Sequence, residues 1–413
     1  MNWLDPEEWM TPELELRLRE VQRVPELSVL REFLVGVRGY KLLLVGGATR
    51  DLLLGRPVKD FDFLVTCSPQ ELSALRPEIA AQAGVTVFPL DPVRGYFRVC
   101  YRTSEGVDLA ALDRPSVWDD LRRRDITFNA MALSHDGRLA DPFNGRKDLE
   151  LRQVRVVARD VLVEDPLRIL RCFRMAAVLD FSIDPETVEY LKELAPRLGS
   201  VAGERIFDEL VRFIQHANPS QWESFSSSGV AEALWNLPQN RLPWNGMRQR
   251  WLTAGTDSLD VASVLAALLW REPNREALLQ RIKVSRELND CCRRCWLGWS
   301  SLEETTPETS REVYALVTAT GDALPGLLEF ATLPEFCKPI SFELQQRLLR
   351  EFRKEGELRF TPLPLNGNDL TEHLSRESGP WLGQVLKELR AAWACREFNS
   401  RDELLDYSAA MLR

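Results

Sequence analysis

The stretch Leu44-Val45-Gly46-Gly47-Ala48-Thr49-Arg50-Asp51 decides the fold, and it is followed after a short gap by Asp60-Phe61-Asp62. A short apolar run that ends at two glycines predicts a buried strand followed by a turn. Residues 48–54 then predict a helix that stops at Gly55. Glycines lack a Cβ atom, so the backbone N–H groups of such a turn can approach a polyphosphate. A turn of two glycines is more often only a turn, and its interpretation depends on the residues that follow.

The second part of this stretch carries two carboxylates in a predicted strand over residues 60–65. Residues i and i+2 of a strand point to the same face, so Asp60 and Asp62 should lie side by side. Two adjacent carboxylates are unfavourable unless a cation lies between them. Mg²⁺ accepts oxygen ligands and keeps positions open for phosphate oxygens, as two-metal phosphoryl transfer requires. We therefore predict Asp60 and Asp62 as catalytic residues and as the ligands of Mg²⁺.

Further strands are predicted at residues 85–90, 96–102 and 107–112. The last of these contains Asp108, which we predict as a third catalytic carboxylate. The alternative is that Asp108 is a simple aspartate at the edge of a strand. A strand pair near residues 137–141 and 154–158 is predicted to close this mixed α/β head.

The chain from Asp165 to its C-terminus is predicted to be almost entirely helical. Apolar residues such as Leu167, Leu170 and Phe173 recur on one helical face. The same periodicity predicts helices near 186–197, 203–215, 258–271, 275–285, 310–318, 341–354 and 380–393. Turns are predicted at 237–238, 243–246 and 362–367. These patterns indicate a mixed-sheet head (1–150), then an elongated all-α neck (151–215), body (216–360) and tail (361–413).

Composition sets the broad class of the protein. The chain has 413 residues, 45% hydrophobic and 28% charged, with eight cysteines and no apolar run long enough to cross a membrane. We expect a cytoplasmic protein. Its net charge of −9 neither supports nor excludes RNA binding, because binding depends on local clusters such as residues 122–124. Cys292 and Cys295 have the spacing of metal ligands, but the absence of a second Cys/His pair favours a structural role.

The order of several motifs resembles the class II tRNA nucleotidyltransferases and bacterial poly(A) polymerases, whose head is a polymerase-β-like mixed sheet. The glycine turn and the two aspartates resemble the first motif of that family. The other motifs follow in the family's order at Arg123-Arg124-Asp125-Ile-Thr-Phe-Asn129, Asp141-Pro-Phe-Asn-Gly145, Glu164-Asp165-Pro-Leu-Arg168 and Gly203-Glu204-Arg205. The resemblance covers residues 35–215 strongly and implies nucleotide addition to an RNA 3′ end.

The resemblance also assigns nucleotide-binding roles to individual residues. It implies phosphate positioning by Gly46, Gly47 and Arg50. It implies recognition of the sugar and triphosphate by Arg123, Arg124, Asp125 and Asn129, and selection of the base by Glu164, Asp165 and Arg168. Two alternatives stay open: Arg50 pairs structurally with Asp51, or Asp165 only caps a helix.

The chemistry of Asp165 and Arg168 suits base reading without a template. The two residues are three positions apart and lie on one helical face. They offer an acceptor beside a fork of donors, which matches the amino group and ring nitrogen of cytosine and adenine. Uracil and guanine present a carbonyl where the amino group would be, so polar groups would be left unpaired. This pair therefore predicts selection of C and A.

Two features narrow the predicted substrate. Residues 364–370 and 378–385 resemble the tail of tRNA nucleotidyltransferases, and no basic extension typical of poly(A) polymerases follows, so the 3′ end of tRNA is the predicted partner. The polar loop that enzymes completing the whole CCA end carry before the Arg-Arg-Asp motif is reduced to residues 113–117. Family members that add only the two cytidines show such a deletion, so we predict CC addition from CTP.

The alternatives are complete CCA addition with CTP and ATP, then A addition or poly(A) synthesis. A non-catalytic RNA-binding protein is the alternative from another class. The intact aspartate pair and base-reading motif argue against it. Neither DNA nor a membrane is expected as a partner.

Overall fold

The computed structural model describes residues 3–58, 60–100, 106–114, 116–235, 260–331, 339–358 and 363–412. The chain divides into two compact units. The first comprises Met1–Val201 and Ser220–Gln239, and the second comprises Ala202–Pro219 and Asn240–Arg413. Of the predicted turns, 237–238, 243–246 and Pro362 lie outside the described residues.

The first unit begins with short helices and a mixed sheet. The N-terminal helices are α1 (Pro6–Trp9), α2 (Pro12–Gln22) and α3 (Pro25–Arg31), and a π-helical turn (Glu32–Val37) continues α3. The strands are β1 (Leu42–Val45), β2 (Phe61–Val65), β3 (Thr86–Asp91), β4 (Tyr96–Cys100), β5 (Val107–Ala111), β6 (Ala132–Ser134) and β7 (Leu139–Ala140). The intervening helices are α4 (Gly47–Leu53), α5 (Pro69–Ala83), α6 (Val117–Arg122) and the 3₁₀ turn Thr127–Asn129.

In the described part of the chain these seven strands form one sheet in the order β3-β4-β5-β2-β1-β6-β7. Strands β2 and β5 are parallel, and the other neighbours are antiparallel. The segment between β2 and β5 contains α5, which starts at a Ser68/Glu71 capping box and ends at Gly84 in the left-handed conformation. The β3–β4 hairpin follows. The mixed-sheet head is therefore confirmed.

Each face of the central strands is buried by different helices. Leu43, Val45 and Leu64 pack with Val117 and Leu121 of α6 in one core cluster. Leu42, Leu44 and Phe63 point to the opposite face, because successive side chains of a strand alternate. Burial on both faces explains why β1 is a continuous apolar run rather than an alternating one.

The predicted strand pair at 137–141 and 154–158 is wrong. Strand β7 (Leu139–Ala140) pairs with β6, whereas β8 (Gln153–Val154) forms a separate two-stranded sheet with β9 (Ser182–Ile183). Strands of two residues carry too little side-chain alternation to specify a partner. A short helix, α7 (Gly145–Glu150), separates the two sheets, and Asp141 accepts hydrogen bonds from its first N–H groups.

Helices complete the first unit, as the sequence predicts. They are α8 (Arg159–Glu164), α9 (Leu167–Leu179), α10 (Pro185–Leu194), the 3₁₀ turn Ala195–Ser200, α12 (Pro219–Ser227) and α13 (Val230–Trp235). In α9 the buried Phe173 packs edge-on against Phe225 of α12, with ring centroids 5.3 Å apart. Helix α9 is thus a core element of the unit.

The second unit is helical throughout its described residues. Its helices are α11 (Gly203–His216), α14 (Val261–Leu268), α15 (Arg275–Arg281), α16 (Arg286–Glu304), α17 (Ser310–Thr320), α18 (Leu324–Phe330), α19 (Phe342–Leu358), α20 (Gly367–His373), α21 (Pro380–Ala394) and α22 (Arg401–Met411), with a 3₁₀ turn at Gly321–Ala323. Among the described helices of the whole chain, none combines the length and apolar composition that crossing a membrane requires.

Helix α16 is the centre of the second unit. Trp296 donates a hydrogen bond to the carbonyl of Ala266 at 2.9 Å, and Trp299 donates one to Leu327 at 3.0 Å. A Cβ atom at Gly298 would lie 2.0 Å from a methyl group of Leu327, so any other residue here would have to displace the Leu327 side chain. Cys292 and Cys295 are buried in the same helix, and the thiol of Cys292 donates a hydrogen bond to the carbonyl of Ala262 at 3.3 Å.

Candidate active site

The turn after β1 brings a glycine against two charged side chains. Gly46 has φ +69°, in the left-handed region that favours glycine. The hydroxyl of buried Thr49 donates a hydrogen bond of 2.8 Å to the carbonyl of Leu44 and holds the turn closed. A Cβ atom at Gly46 would lie 3.2 Å from Nη1 of Arg124 and 3.5 Å from Oδ2 of Asp62. The turn, Asp62 and Arg124 therefore share one site.

The predicted carboxylates lie beside this turn. Asp62 of β2 is paired in register with Asp108 of β5, so both side chains are on one face of the sheet. Asp60 immediately precedes β2 and is exposed. Burial raises the pKa of Asp62, the negative charge of Asp108 raises it further, and Asp60 adds to the effect, whereas Arg124 and Arg98 oppose it. The sequence-predicted acids are thus within electrostatic reach of one another.

This donor set fits a hard divalent cation. Its members are carboxylates, and burial together with Asp108 raises the pKa of Asp62, so a further positive charge beside it would favour its ionised form. Within the described ranges, however, no three acidic, histidine or cysteine side chains are already gathered as a ligand group. Both oxygens of Asp108 instead accept hydrogen bonds from Arg98, each at 2.7 Å. The metal role of Asp60 and Asp62 and the catalytic role of Asp108 remain predictions.

Arg50 is held by two side chains of the head. Its Nε and Nη2 atoms each donate a 2.9 Å hydrogen bond to Asp51, and its Nη1 atom donates one of 3.0 Å to Oδ1 of buried Asn129. A Cβ atom at Gly47 would lie 3.3 Å from Nη2 of Arg50. The pairing with Asp51 left open by the sequence is present, and it fixes the helix start to the Arg-Arg-Asp motif.

The three charged residues of that motif are placed differently. Arg123 is exposed. Arg124 donates from Nε and Nη2 to Asp120 at 3.1 and 3.0 Å, which directs its Nη1 atom to the glycine turn. Asp125 is buried, accepts a hydrogen bond from the backbone N–H of Ile126 and lies 2.9 Å from Nε of Arg171.

The predicted base-reading residues lie at the junction of α8 and α9. Asp165 accepts a hydrogen bond of 3.2 Å from the N–H of Leu167, so it does cap the start of α9. Arg168 donates to the carbonyl of Val161 at 3.1 Å and lies 3.9 Å from Glu164. One Asp165 oxygen makes the cap contact, and a carboxylate has further lone pairs. The capping and base-reading roles are therefore compatible.

Three residues of the site were missed from the sequence: Arg98, Asp120 and Arg171. Arg98 interrupts the alternating strand Tyr96-Phe97-Arg98-Val99-Cys100 on the face away from buried Phe97 and Val99. That alternation was a usable signal, but the register that aligns Arg98 with Asp108 was not visible in it. Asp120 and Arg171 lie one helical turn from residues singled out, at the i,i+4 and i,i+3 spacings.

Two known families match parts of the chain, including the glycine turn, the predicted carboxylates and the Arg-Arg-Asp motif. The family described as Poly A polymerase head domain matches residues 42–87 and 94–155. The family described as Probable RNA and SrmB-binding site of polymerase A matches residues 180–234.

The similarity to individual proteins extends over most of the chain. A CC-adding tRNA nucleotidyltransferase of Synechocystis sp. is 31% identical over 392 residues, which cover 88% of this chain and 92% of that relative. A CCA-adding enzyme of Leuconostoc citreum is 30% identical, over 91% of this chain and 93% of that enzyme. The structure of a Thermotoga maritima CCA-adding enzyme complexed with tRNA superposes with a TM-score of 0.72 at 22% identity, over 97% of this chain and 99% of that one. This chain therefore belongs to the class II tRNA nucleotidyltransferase and poly(A) polymerase family of nucleotide-adding enzymes.

Proposed function

We propose that this chain adds cytidines from CTP to the 3′ end of tRNA, without a template and with release of pyrophosphate. The observation that carries the reaction class is the juxtaposition of Asp62 and Asp108 beside the Gly46 turn and Arg124. Carboxylates next to a phosphate-accepting turn are what phosphoryl transfer between a hydroxyl and a triphosphate needs.

The residues of the head divide the work between sugar, phosphate and metal. The N–H groups after Gly46 and the guanidinium of Arg124 donate hydrogen bonds to the triphosphate, and Asp125 with Asn129 contributes to recognition of the sugar. Asp60 and Asp62, with Asp108 as a third carboxylate, would hold Mg²⁺. Bound Mg²⁺ would lower the pKa of the tRNA 3′-hydroxyl and neutralise the charge of the departing pyrophosphate. Arg50 then positions phosphate through the helix start that it fixes with Asp51 and Asn129.

The choice of base is assigned to the α8–α9 junction. Asp165 accepts from the amino group of cytosine, and Arg168 donates to its N3 and O2 atoms. Glu164, 3.9 Å from Arg168, orients the guanidinium. Uridine is rejected because its O4 carbonyl would face the carboxylate, leaving two buried acceptors without a donor.

The restriction to cytidine is supported by the short connection between β5 and α6. Strand β5 ends at Ala111 and α6 begins at Val117, so five residues join them. Enzymes that complete the CCA end resemble this chain elsewhere but carry a longer polar loop here. The relatives at 31% and 30% identity include both a CC-adding and a CCA-adding enzyme. Complete CCA addition is the second candidate, and the overall identity favours it equally.

The tRNA body is assigned to the helical part of the chain. Residues 180–234 match a family described as an RNA-binding site. The tail, residues 361–413, is assigned to tRNA contact because its motifs resemble those of tRNA enzymes rather than poly(A) polymerases. The boundaries near 150, 215 and 360 are part of this proposal.

The decisive experiment offers tRNA that ends at the discriminator base, with labelled CTP, ATP or both, and sizes the product. Two added cytidines and no terminal adenosine, even with ATP present, are expected. A matched reaction uses tRNA that already ends in CC. Addition of adenosine to either substrate would overturn the restriction to cytidine, and no incorporation of any nucleotide would overturn the proposed reaction.

A further inference from the structure

A row of four side chains crosses the head sheet from the catalytic turn to the sheet edge. Asp62 is in register with Asp108, Asp108 with Arg98, and Arg98 with Phe88. Residues in direct register lie on the same face, so the four side chains are consecutive neighbours. The acidic face, defined as the sheet face that carries Asp62 and Asp108, therefore already contains one positively charged side chain, that of Arg98.

The guanidinium of Arg98 binds both carboxylate oxygens of Asp108. Its Nε atom lies 2.7 Å from Oδ1 and its Nη2 atom 2.7 Å from Oδ2, the bidentate arrangement in which a planar guanidinium matches a carboxylate. A divalent cation uses the same outward lone pairs of a carboxylate. A metal ion that binds Asp108 on this side must therefore displace the guanidinium.

The pair is suited to displacement. The side chain of Arg98 is 49% exposed and that of Asp108 is 28% exposed, so water can solvate each partner as they separate. Pairs of this exposure contribute little net stability. Phe88, its neighbour on the edge strand, is 52% exposed, so this end of the row lies at the protein surface. A desolvated pair would resist the exchange more strongly than this partly exposed one.

We propose that Arg98 is a displaceable counter-ion of Asp108, which competes with a divalent cation for that carboxylate and sets the cation concentration at which the third acid joins the site. The inference rests on the proposed function, because it assumes that the acids of this face hold a metal. Arg98 acts through Asp108 and is therefore a positioning residue. Its role differs from that of Arg124, which Asp120 directs to the glycine turn.

Direct binding of Mn²⁺ tests this competition without an activity measurement. The full chain, free of nucleotide and RNA, is titrated with Mn²⁺, and free Mn²⁺ is followed by electron paramagnetic resonance. Arg98→Ala should bind Mn²⁺ about fivefold more tightly than the unaltered chain, which corresponds to roughly 1 kcal/mol. Arg94→Ala is the matched control, because this substitution removes the same charge from the same hairpin. Arg94 contacts Asp91 instead of Asp108. This control should change the affinity less than twofold.

Two further variants separate a specific competition from a general charge effect. Arg98→Gln removes the charge with less loss of volume and should reproduce the tighter binding if Arg98→Ala folds poorly. In an Asp108→Asn background, Arg98→Ala should give no gain, because the contested ligand is gone. Equal shifts in Arg98→Ala and Arg94→Ala, or a gain that persists without Asp108, would overturn the inference.

The same titration distinguishes failure of the inference from failure of the proposed metal site. Binding that Asp62→Asn abolishes but Arg98→Ala leaves unchanged contradicts only the role of Arg98. Absence of Mn²⁺ binding in every variant, or binding that Asp62→Asn does not weaken, contradicts the proposed metal site and the inference together.

Discussion

The acidic face of the head, which carries Asp62 and Asp108, brings like charges together, whereas the cluster around Arg311 in the second unit pairs opposite charges. On the head, Asp62 and Asp108 are neighbours in register, and their repulsion together with burial raises the pKa of Asp62. In the second unit, Arg311 of α17 donates to Glu397 at 2.8 and 2.7 Å and to the hydroxyl of Tyr407 at 3.1 Å, and this pairing lowers the pKa of Glu397.

This difference distinguishes charged residues that stabilise the fold from charged residues that favour binding of a ligand. Opposite charges that satisfy one another lower the free energy of the folded chain and leave little capacity for a ligand. Like charges held together by a sheet cost folding free energy that the neighbouring arginines offset only in part, and perturbed carboxylates in such a place are typical of functional sites. Each prediction below changes one charge in one of these regions.

The largest effect is expected at the centre of the acidic face. Asp62→Ala should lower nucleotide incorporation by at least about a thousandfold, because it removes a carboxylate that we propose to hold Mg²⁺ at the reacting phosphate. Incorporation of labelled CTP into tRNA measures it, with Asp406→Ala on the exposed surface of α22 as the control. Retention of more than a tenth of the activity would show that the acidic face is not catalytic.

A smaller effect is expected at Asp165, which caps α9 and is proposed to read the base. Asp165→Ala should reduce the preference for CTP over UTP about tenfold to a hundredfold, because the rejected base no longer faces an unpaired acceptor. Competition between the two nucleotides measures the preference, and Glu189→Ala on exposed α10 is the control. An unchanged preference combined with reduced thermal stability would assign Asp165 to helix capping alone.

The paired cluster should respond in stability and not in chemistry. Arg311→Ala should lower the free energy of unfolding by about 1–2 kcal/mol, since Glu397, Tyr407 and also Glu388, 3.4 Å from Nη1, lose a shared donor. Denaturant unfolding measures it. Arg293→Ala, which breaks the exposed pairs with Glu276 and Asp290, is the matched control and should cost about half a kcal/mol or less. Equal losses would mean that the cluster has no energy beyond that of a surface pair.

The smallest effect is a gain. Because the pKa of Asp62 is raised on folding, protonated Asp62 favours the folded state, and this contribution is lost as the pH rises through that pKa. Asp62→Asn should therefore raise the free energy of unfolding at pH 7 by about 0.5–1 kcal/mol. The gain should shrink as the pH falls toward about 3.9, the ordinary pKa of aspartate.

Asp108→Asn is the contrasting variant for this measurement. It makes the same charge change on the same face, but it leaves Arg98 without its bidentate partner and should not stabilise the chain. Stabilisation by both variants to the same extent would mean that net charge, and not the register of Asp62 with Asp108, is the cause.

The sequence predicted the elements of the head better than their partners. The apolar run at residues 42–45, the glycine turn and the alternation around Asp62 each contain a local physical signal, and each became the expected element. The pairing of β8 with β9 did not follow from local pattern, because it depends on how α9 returns the chain to the sheet.

The side-chain partners within the site were harder to predict. Arg50 with Asp51 was visible as a sequence neighbour, whereas Arg98 with Asp108 and Arg171 with Asp125 depend on strand register and helix placement. The sequence motifs identify candidate site residues, whereas the ion pairs between these residues are visible only in the three-dimensional structure.

The parallel pairing of β2 and β5 has a consequence for how the enzyme becomes active. Asp62 and Asp108 are 46 positions apart in the chain, and both α5 and the β3–β4 hairpin lie between them. Closing this long loop costs more conformational entropy than forming any hairpin or helix within it. The two aspartates are therefore expected to meet after those local elements have formed. Competence for nucleotide addition is thus a property of the finished sheet, and a partly folded head with every local element in place would still lack it.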